Sequence, residues 1–352
     1  MEKKRLNFLD IAKGIGIILV LYSHSCGFPI FGNAVVAFYM PLFFFVSGYV
    51  YKAGRTPAEN IKRKLKQLLI LYAGYTAFLY AEYLLLGYLK HELTRESVIM
   101  PLLGAIYSRG ALYADMSREN VYFLLISNGP MWFITAMAAA CVIFYLLVDR
   151  FLRDRKTRIV ITGILVAITA VFTYCPYLLP WSLDTASASA LFMLAGAWLG
   201  NAGYYSDEKK QYPFVLVLLA TLVYCLITQV AEPINLSIRD YGYDGILGAM
   251  WFLAAAMAGI IIFLWLCRYI EKYKWTKIFI IVGKHTYSIM ALHIFLVKYL
   301  NKAYYLFHMT FEFDRSSGWY WLYWTILFAV IIVVCIGVDR MIVWIKNRFK
   351  MR

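Results

Sequence analysis

Lys13 and His24 are the residues of this chain best placed to do chemistry. They stand eleven positions apart in the apolar run Asn7-Phe-Leu-Asp10-Ile-Ala-Lys13-Gly-Ile-Gly-Ile-Ile-Leu-Val-Leu-Tyr-Ser-His24. On an α-helix that spacing leaves them about 20° apart in azimuth and roughly 16 Å apart along the axis. One face then carries a cation near its start and an imidazole three turns above, with Asp10, Gly14, Ile17 and Leu21 on adjacent azimuths. Imidazole can take the proton of a hydroxyl at neutral pH, or accept an acyl group itself. An ionisable group inside an apolar run is costly and marks a functional site by default.

Three further stretches carry polar groups inside apolar sequence. Met40-Pro-Leu-Phe-Phe-Phe-Val-Ser47-Gly48-Tyr49 follows Tyr39, Gly129-Pro130-Met131-Trp132-Phe133 opens a later run, and Thr286-Tyr287-Ser288-Ile-Met-Ala-Leu-His293 lies near the end. Each residue also has a packing alternative. A transmembrane histidine can serve only to bond a neighbouring helix, and Ser47-Gly48 can serve close helix packing. Lys13 can be a snorkelling anchor, and Trp132 can belong to an interfacial aromatic belt, as Trp319, Trp321 and Trp324 do. His91, His285 and His308 are expected in loops or at helix ends, solvated or interfacial.

The elements that hold these residues follow from composition. Of 352 residues 62% are hydrophobic and 16% charged, and the mean hydropathy is +0.65. Such a chain is a polytopic helical membrane protein. The net charge of +15 does not indicate nucleic acid, because the basic residues gather in short loops between apolar runs. Those runs predict an all-α bundle of ten spans at about 8–27, 35–52, 66–88, 130–149, 158–176, 185–203, 213–231, 244–267, 278–300 and 318–340. Residues 1–352 are expected to form one transmembrane domain.

Loop charges orient the bundle. Lys3, Lys4 and Arg5, the 52–66 and 150–158 loops, Lys209-Lys210, the 268–277 loop and the C-terminal basic residues share one side. Lys90, Arg95, Arg109, Arg118, Arg239, Lys302 and Arg315 fall on the other. The positive-inside rule then places both termini in the cytoplasm. The first span has no small-residue cleavage site and carries Asp10 and Lys13, so it is expected to be an uncleaved helix. The first and ninth spans run in the same direction, which sets His24 and His293 at one depth, about 20 Å from the cytoplasmic edge. Ser47 falls nearer the depth of Lys13.

The cysteines at 26, 141, 175, 225, 267 and 335 are scattered through the spans, without metal spacing, and are expected to be packing residues. The long outer connection at 89–129 contains two short apolar pieces, Val98 to Tyr107 and Val121 to Ile126, and suggests a lid of half-inserted segments. The Ala/Ser/Gly-rich run at 185–203 is explained by close packing within one bundle.

In this order, the four patterns resemble acyltransferase family 3, membrane O-acyltransferases that modify cell-surface glycans. The resemblance rests on the basic-x10-His motif from Lys13 to His24, the aromatic stretch ending Ser47-Gly48-Tyr49, the Trp132-Phe133 pair and the Tyr-Ser-x4-His ending at His293. Leu-Asp-Ile-Ala-Lys-Gly-Ile-Gly-Ile-Ile is especially similar to the bacterial sugar O-acetylase branch. The chain departs from the pattern with lysine at position 13, where arginine is common, and with Tyr39, where many relatives have histidine. The proline that usually follows the basic run after the second span is also absent.

The resemblance implies a multi-pass protein of a bacterial plasma membrane with His24 and His293 as catalytic residues. It implies acetyl-CoA or another acyl-CoA as co-substrate, no permanently bound cofactor or metal, and a surface glycan or lipid-linked sugar as acceptor. A CoA headgroup is polyanionic and suits Lys62, Arg63, Lys64 and Lys66 together with Lys13. That basic cluster could instead contact anionic lipid. Asp10, Tyr39, Ser47, Trp132, Tyr287 and Ser288 are expected around substrate or behind the catalytic groups. A proton-coupled transporter or lipid-linked-glycan flippase is the competing class, since basic and imidazole groups in a bundle can form a relay. Paired inverted repeats and matched broken helices, which would favour it, are not evident in the sequence.

The topology has a direct test. In a cysteine-free background, Thr56→Cys should react only with permeant thiol reagent and Leu112→Cys with impermeant reagent in intact cells. Reversed labelling would invert the assignment of donor and acceptor sides.

Overall fold

The computed structural model describes residues 6–25, 32–114, 122–123, 126–204, 214–230, 235–306 and 318–350. These residues are mainly helical, and the helices occupy the apolar runs. Their order is α1 (Asn7–Ser25), α2 (Gly32–Tyr49), α3 (Pro57–Leu89), α4 (Arg95–Tyr107), α5 (Trp132–Arg153) and α6 (Arg155–Thr173), then α7 (Ala186–Asn201), α8 (Phe214–Val230), α9 (Gly245–Ile270), α10 (Lys277–Lys284), α11 (Thr286–Leu306) and α12 (Gly318–Lys350). Among the described residues, five helical segments are long and apolar enough to cross a membrane: Pro57–Leu89, Gly129–Arg153, Arg155–Thr173, Gly245–Ile270 and Gly318–Ile345. The bent pair Lys274–Lys284 and Thr286–Leu300 adds a sixth if it counts as one span. Val35–Tyr49 and Phe214–Thr228 are shorter apolar helices. The protein is therefore an all-α membrane protein.

The chain divides into two compact units, Met1–Ile30 with Glu271–Arg352, and Phe31–Ile270. In the first unit α1 packs against α10 and α11, and α11 against α12. A Cβ at Gly14 would lie 2.1 Å from the Phe279 carbonyl oxygen, and one at Gly283 would lie 2.0 Å from that of Asp10. Helix backbones in lipid gain little from the hydrophobic effect, so glycine-mediated close contact supplies the attraction. In the second unit α2 packs on α7 in the same manner, with Gly48 against Met193 and Gly196 against Phe45. α5 packs on α3 and α7, and α6, α8 and α2 surround α9.

Two elements differ from the pattern expected of the sequence. α3 begins at Pro57 rather than near residue 66, so the charged Lys62–Lys66 stretch is helical. Its start is a capping box: the Thr56 hydroxyl accepts the Glu59 N–H, and the Glu59 carboxylate accepts the Thr56 N–H. Thr-Pro-Ala-Glu was the available signal. The ninth apolar run, expected as one helix over 278–300, bends by 78° at His285. The His285 imidazole is half-buried and its Nδ1 lies 2.5 Å from the Asp339 carboxylate on α12, instead of being free at an interface. His308 and Cys26 lie outside the described residues, as do parts of the expected 89–129 lid. Within that connection the apolar piece from Val98 does form a helix, α4.

Gly14→Ala should lower the melting temperature of detergent-purified protein, since overpacking typically costs about 1–3 kcal/mol. Gly74→Ala, where an added Cβ meets nothing within 4 Å, should leave it unchanged or slightly raised. Equal effects of the two would contradict the α1–α10 contact.

Candidate active site

α1 and α11 bring His24 and His293 together in the first unit, with ring centroids 5.1 Å apart in an edge-to-face arrangement. His24 is exposed near the end of α1, whereas His293 is completely buried. Each ring is fixed by its own helix. His24 Nδ1 lies 2.9 Å from the Val20 carbonyl oxygen, and His293 Nδ1 lies 2.9 Å from that of Met290 and 3.1 Å from that of Ile289. A carbonyl only accepts, so in the neutral ring Nδ1 carries the proton and Nε2 keeps its lone pair. His293 Nε2 has no hydrogen-bond partner among the described residues. Two imidazoles thus present lone-pair nitrogens at neighbouring sites, one accessible and one enclosed.

Lys13 lies about three turns below on α1, half-buried, with its ammonium 2.7 Å from the buried Asp10 carboxylate. The (i, i+3) spacing makes this contact, and the carboxylate offsets the lysine charge. The ammonium retains two donors for another anion. Ser288 is buried and Tyr287 half-buried at the start of α11, so both belong to the helix that carries His293.

The remaining expected residues belong to the second unit. Tyr39 is buried in α2. The Ser47 hydroxyl donates to the Phe43 carbonyl at 2.8 Å, one turn back on its own helix, beside the Gly48 contact with α7. This geometry places Ser47 in a packing seam. Phe133 joins two of the four patterns, since its ring meets Phe43 and Phe44 at centroid distances of 5.7 and 5.1 Å. Trp132 opens α5 half-buried. Lys62, Arg63 and Lys66 are exposed on α3, and Lys64 is half-buried.

The second unit also contains a cluster that the sequence pattern did not single out. Arg109 follows α4, Asp184 lies in the 3₁₀ turn Pro180–Thr185 before α7, and Arg239 lies between α8 and α9. All three are buried. Arg109 Nη2 and Arg239 Nε approach opposite Asp184 oxygens at 2.6 and 2.5 Å. Backbone carbonyls accept the other donors: Ser237 and Leu179 from Arg109, and Phe172, Cys175 and Tyr177 from Arg239. Burial depresses the basicity of the Arg109 guanidinium, opposed by the Asp184 charge. In the sequence Asp184 is a lone carboxylate in a short connection, and that is the one signal that could have pointed to it.

A family model described as an acyltransferase domain matches residues 6–340, nearly the whole chain. The protein belongs to acyltransferase family 3. No curated protein and no solved structure gives a significant match. Family and fold together define a multi-pass membrane acyltransferase.

Proposed function

We propose that this protein transfers an acyl group, normally acetyl, from cytoplasmic acyl-CoA to a hydroxyl of a cell-surface or exported glycan. The observation that carries the proposal is the His24–His293 pair, with both Nδ1–H groups bound to backbone so that each ring's lone pair lies on Nε2. His24 is the exposed member and acts on substrate. Its Nε2 takes the proton of the acceptor hydroxyl as that oxygen attacks the thioester carbonyl. The C–S bond then breaks and the CoA thiolate leaves. The buried His293 orients the incoming hydroxyl or the His24 ring. Lys13 and the Lys62, Arg63, Lys64 and Lys66 cluster bind donor phosphates as charges. Lysine suffices for that role, whereas a bidentate fork would need arginine.

In this scheme all ten apolar runs cross a bacterial plasma membrane and both termini face the cytoplasm. Trp132 and the outer connections of the second unit receive the glycan. The motif around Lys13 resembles that of the sugar O-acetylase branch. The break at His285 favours a second reading, since discontinuous helices line transporter sites. Release of CoA and incorporation of labelled acetate into envelope glycan distinguish transfer from movement of an intact solute.

General-base removal typically costs about 10²–10⁴-fold in rate. His24→Gln should abolish measurable glycan acetylation by membranes holding matched protein, with CoA binding retained, and His293→Ala should reduce it less. Near-normal activity in His24→Gln would return His24 to a packing role. Lys13→Ala should raise the apparent KM for acetyl-CoA, and Lys13→Arg should keep much of the activity. An unchanged KM in Lys13→Ala and in a neutralised α3 cluster would remove the donor assignment.

A further inference from the structure

We infer that Arg109, Asp184 and Arg239 are positioning residues that hold Trp132 and the outer face of the second unit in the geometry that admits acceptor. The inference rests on the transfer function proposed above. Three connections distant in sequence meet at one buried carboxylate: the segment after α4, the α6–α7 link and the α8–α9 link. All three fall on the side that the loop charges assign to the cell exterior.

Stability alone is a poor explanation for the node. Two guanidinium groups and one carboxylate leave an excess positive charge in a buried site, and apolar residues of similar volume generally do as well. What such a network supplies is fixed geometry. Arginine forks are planar and rigid, and five backbone carbonyls from residues 172–179 and 237 accept from them.

Trp132 is coupled to the node by contacts on either side of it. The Arg109 guanidinium lies 5.8 Å from the centroid of its indole ring. The Trp132 carbonyl accepts from Thr135 at 2.9 Å and from Ser182 at 3.4 Å, and Thr135 pairs with Ser108 at 2.8 Å. Ser108 and Ser182 are therefore bonded around Trp132 while standing next to Arg109 and two residues from Asp184.

Backbone strain collects at the same place. Of the five described non-glycine residues with positive φ, Ser108, Trp181, Ser182 and Arg239 belong to this cluster, and only His91 does not. Such conformations persist where surrounding contacts over-determine them, and they concentrate at ligand clamps and active sites. The strained turn at Trp181 is itself tied back to α4, since the indole N–H donates to the Ile106 carbonyl at 2.9 Å.

The test uses membranes from a deletion strain carrying matched amounts of wild type, Arg109→Lys, Trp132→Leu or the double variant. They are pulsed with [¹⁴C]acetyl-CoA, and the initial rate of alkali-labile label entering envelope glycan is measured. CoA affinity of each purified full-length protein is measured by calorimetry. Arg109→Lys keeps the charge and loses the fork. Each single variant should slow labelling about tenfold, the loss expected of one charge-assisted hydrogen bond. The double variant should be no slower than the worse single one, and CoA affinity should stay within about twofold of wild type, within the noise of such comparisons. Arg239→Lys, which alters the other side of Asp184, should reproduce the pattern if Arg109→Lys does not accumulate. Multiplying losses, full activity in both lysine variants, or a parallel fall in CoA affinity would overturn the inference. Absence of alkali-labile label with wild type would instead overturn the function on which it rests.

Discussion

In the first unit, each imidazole of the His24–His293 pair donates its Nδ1–H to a carbonyl about one turn back on its own helix. The constraint behind this is general in an apolar bundle. Water is scarce, so a polar hydrogen without a protein partner is expensive, and the helix's own carbonyls are the nearest acceptors. The consequence is chemical, because satisfying Nδ1 determines which nitrogen keeps the lone pair. The exposed ring of the pair thereby keeps its lone pair on Nε2, as does the enclosed ring behind it. The close approach of α1 and α10 at Gly14 and Gly283 holds α1 against the broken helix that leads to His293.

The same requirement governs the charged groups. Lys13 enters the first unit with Asp10 as its counter-ion, three residues back on the same helix, so the pair needs no other element to balance it. In the second unit the balance is long-range and incomplete: Asp184 serves two arginines from separate connections. A local pair lets a helix carry a cation at low cost. A long-range node ties loops into one arrangement, which is a different use of the same chemistry.

How much was legible in the sequence follows that distinction. The Lys13–His24 face, the apolar runs and the matched depth of His24 and His293 come from periodicity and direction, which depend only on helix geometry. The family match over residues 6–340 agrees with the motifs that suggested it. The bend at His285 has only a weak local signal, Gly283 two residues before it, and its Asp339 partner lies 54 residues away. The early start of α3 is written in Thr56-Pro57-Ala-Glu59, although its first turns are too charged to show as an apolar run. In the sequence Arg109 and Arg239 are only loop charges that set orientation, since spacing does not reveal which distant carboxylate a guanidinium meets. Ser47 shows the reverse case: a hydroxyl in a suggestive motif donates to Phe43 and lies in a packing seam.

In the proposed reaction the acyl group changes hands beside His24, whose Nε2 takes the acceptor proton. The most direct measurement is a cryo-electron microscopy structure with acetonyl-CoA, whose ketone replaces the thioester and cannot be cleaved. Its carbonyl carbon should lie about 4–6 Å from His24 Nε2, leaving room for one hydroxyl oxygen at about 3 Å from each. An acyl end bound away from the two histidines, with the His24 ring facing only protein, would contradict it.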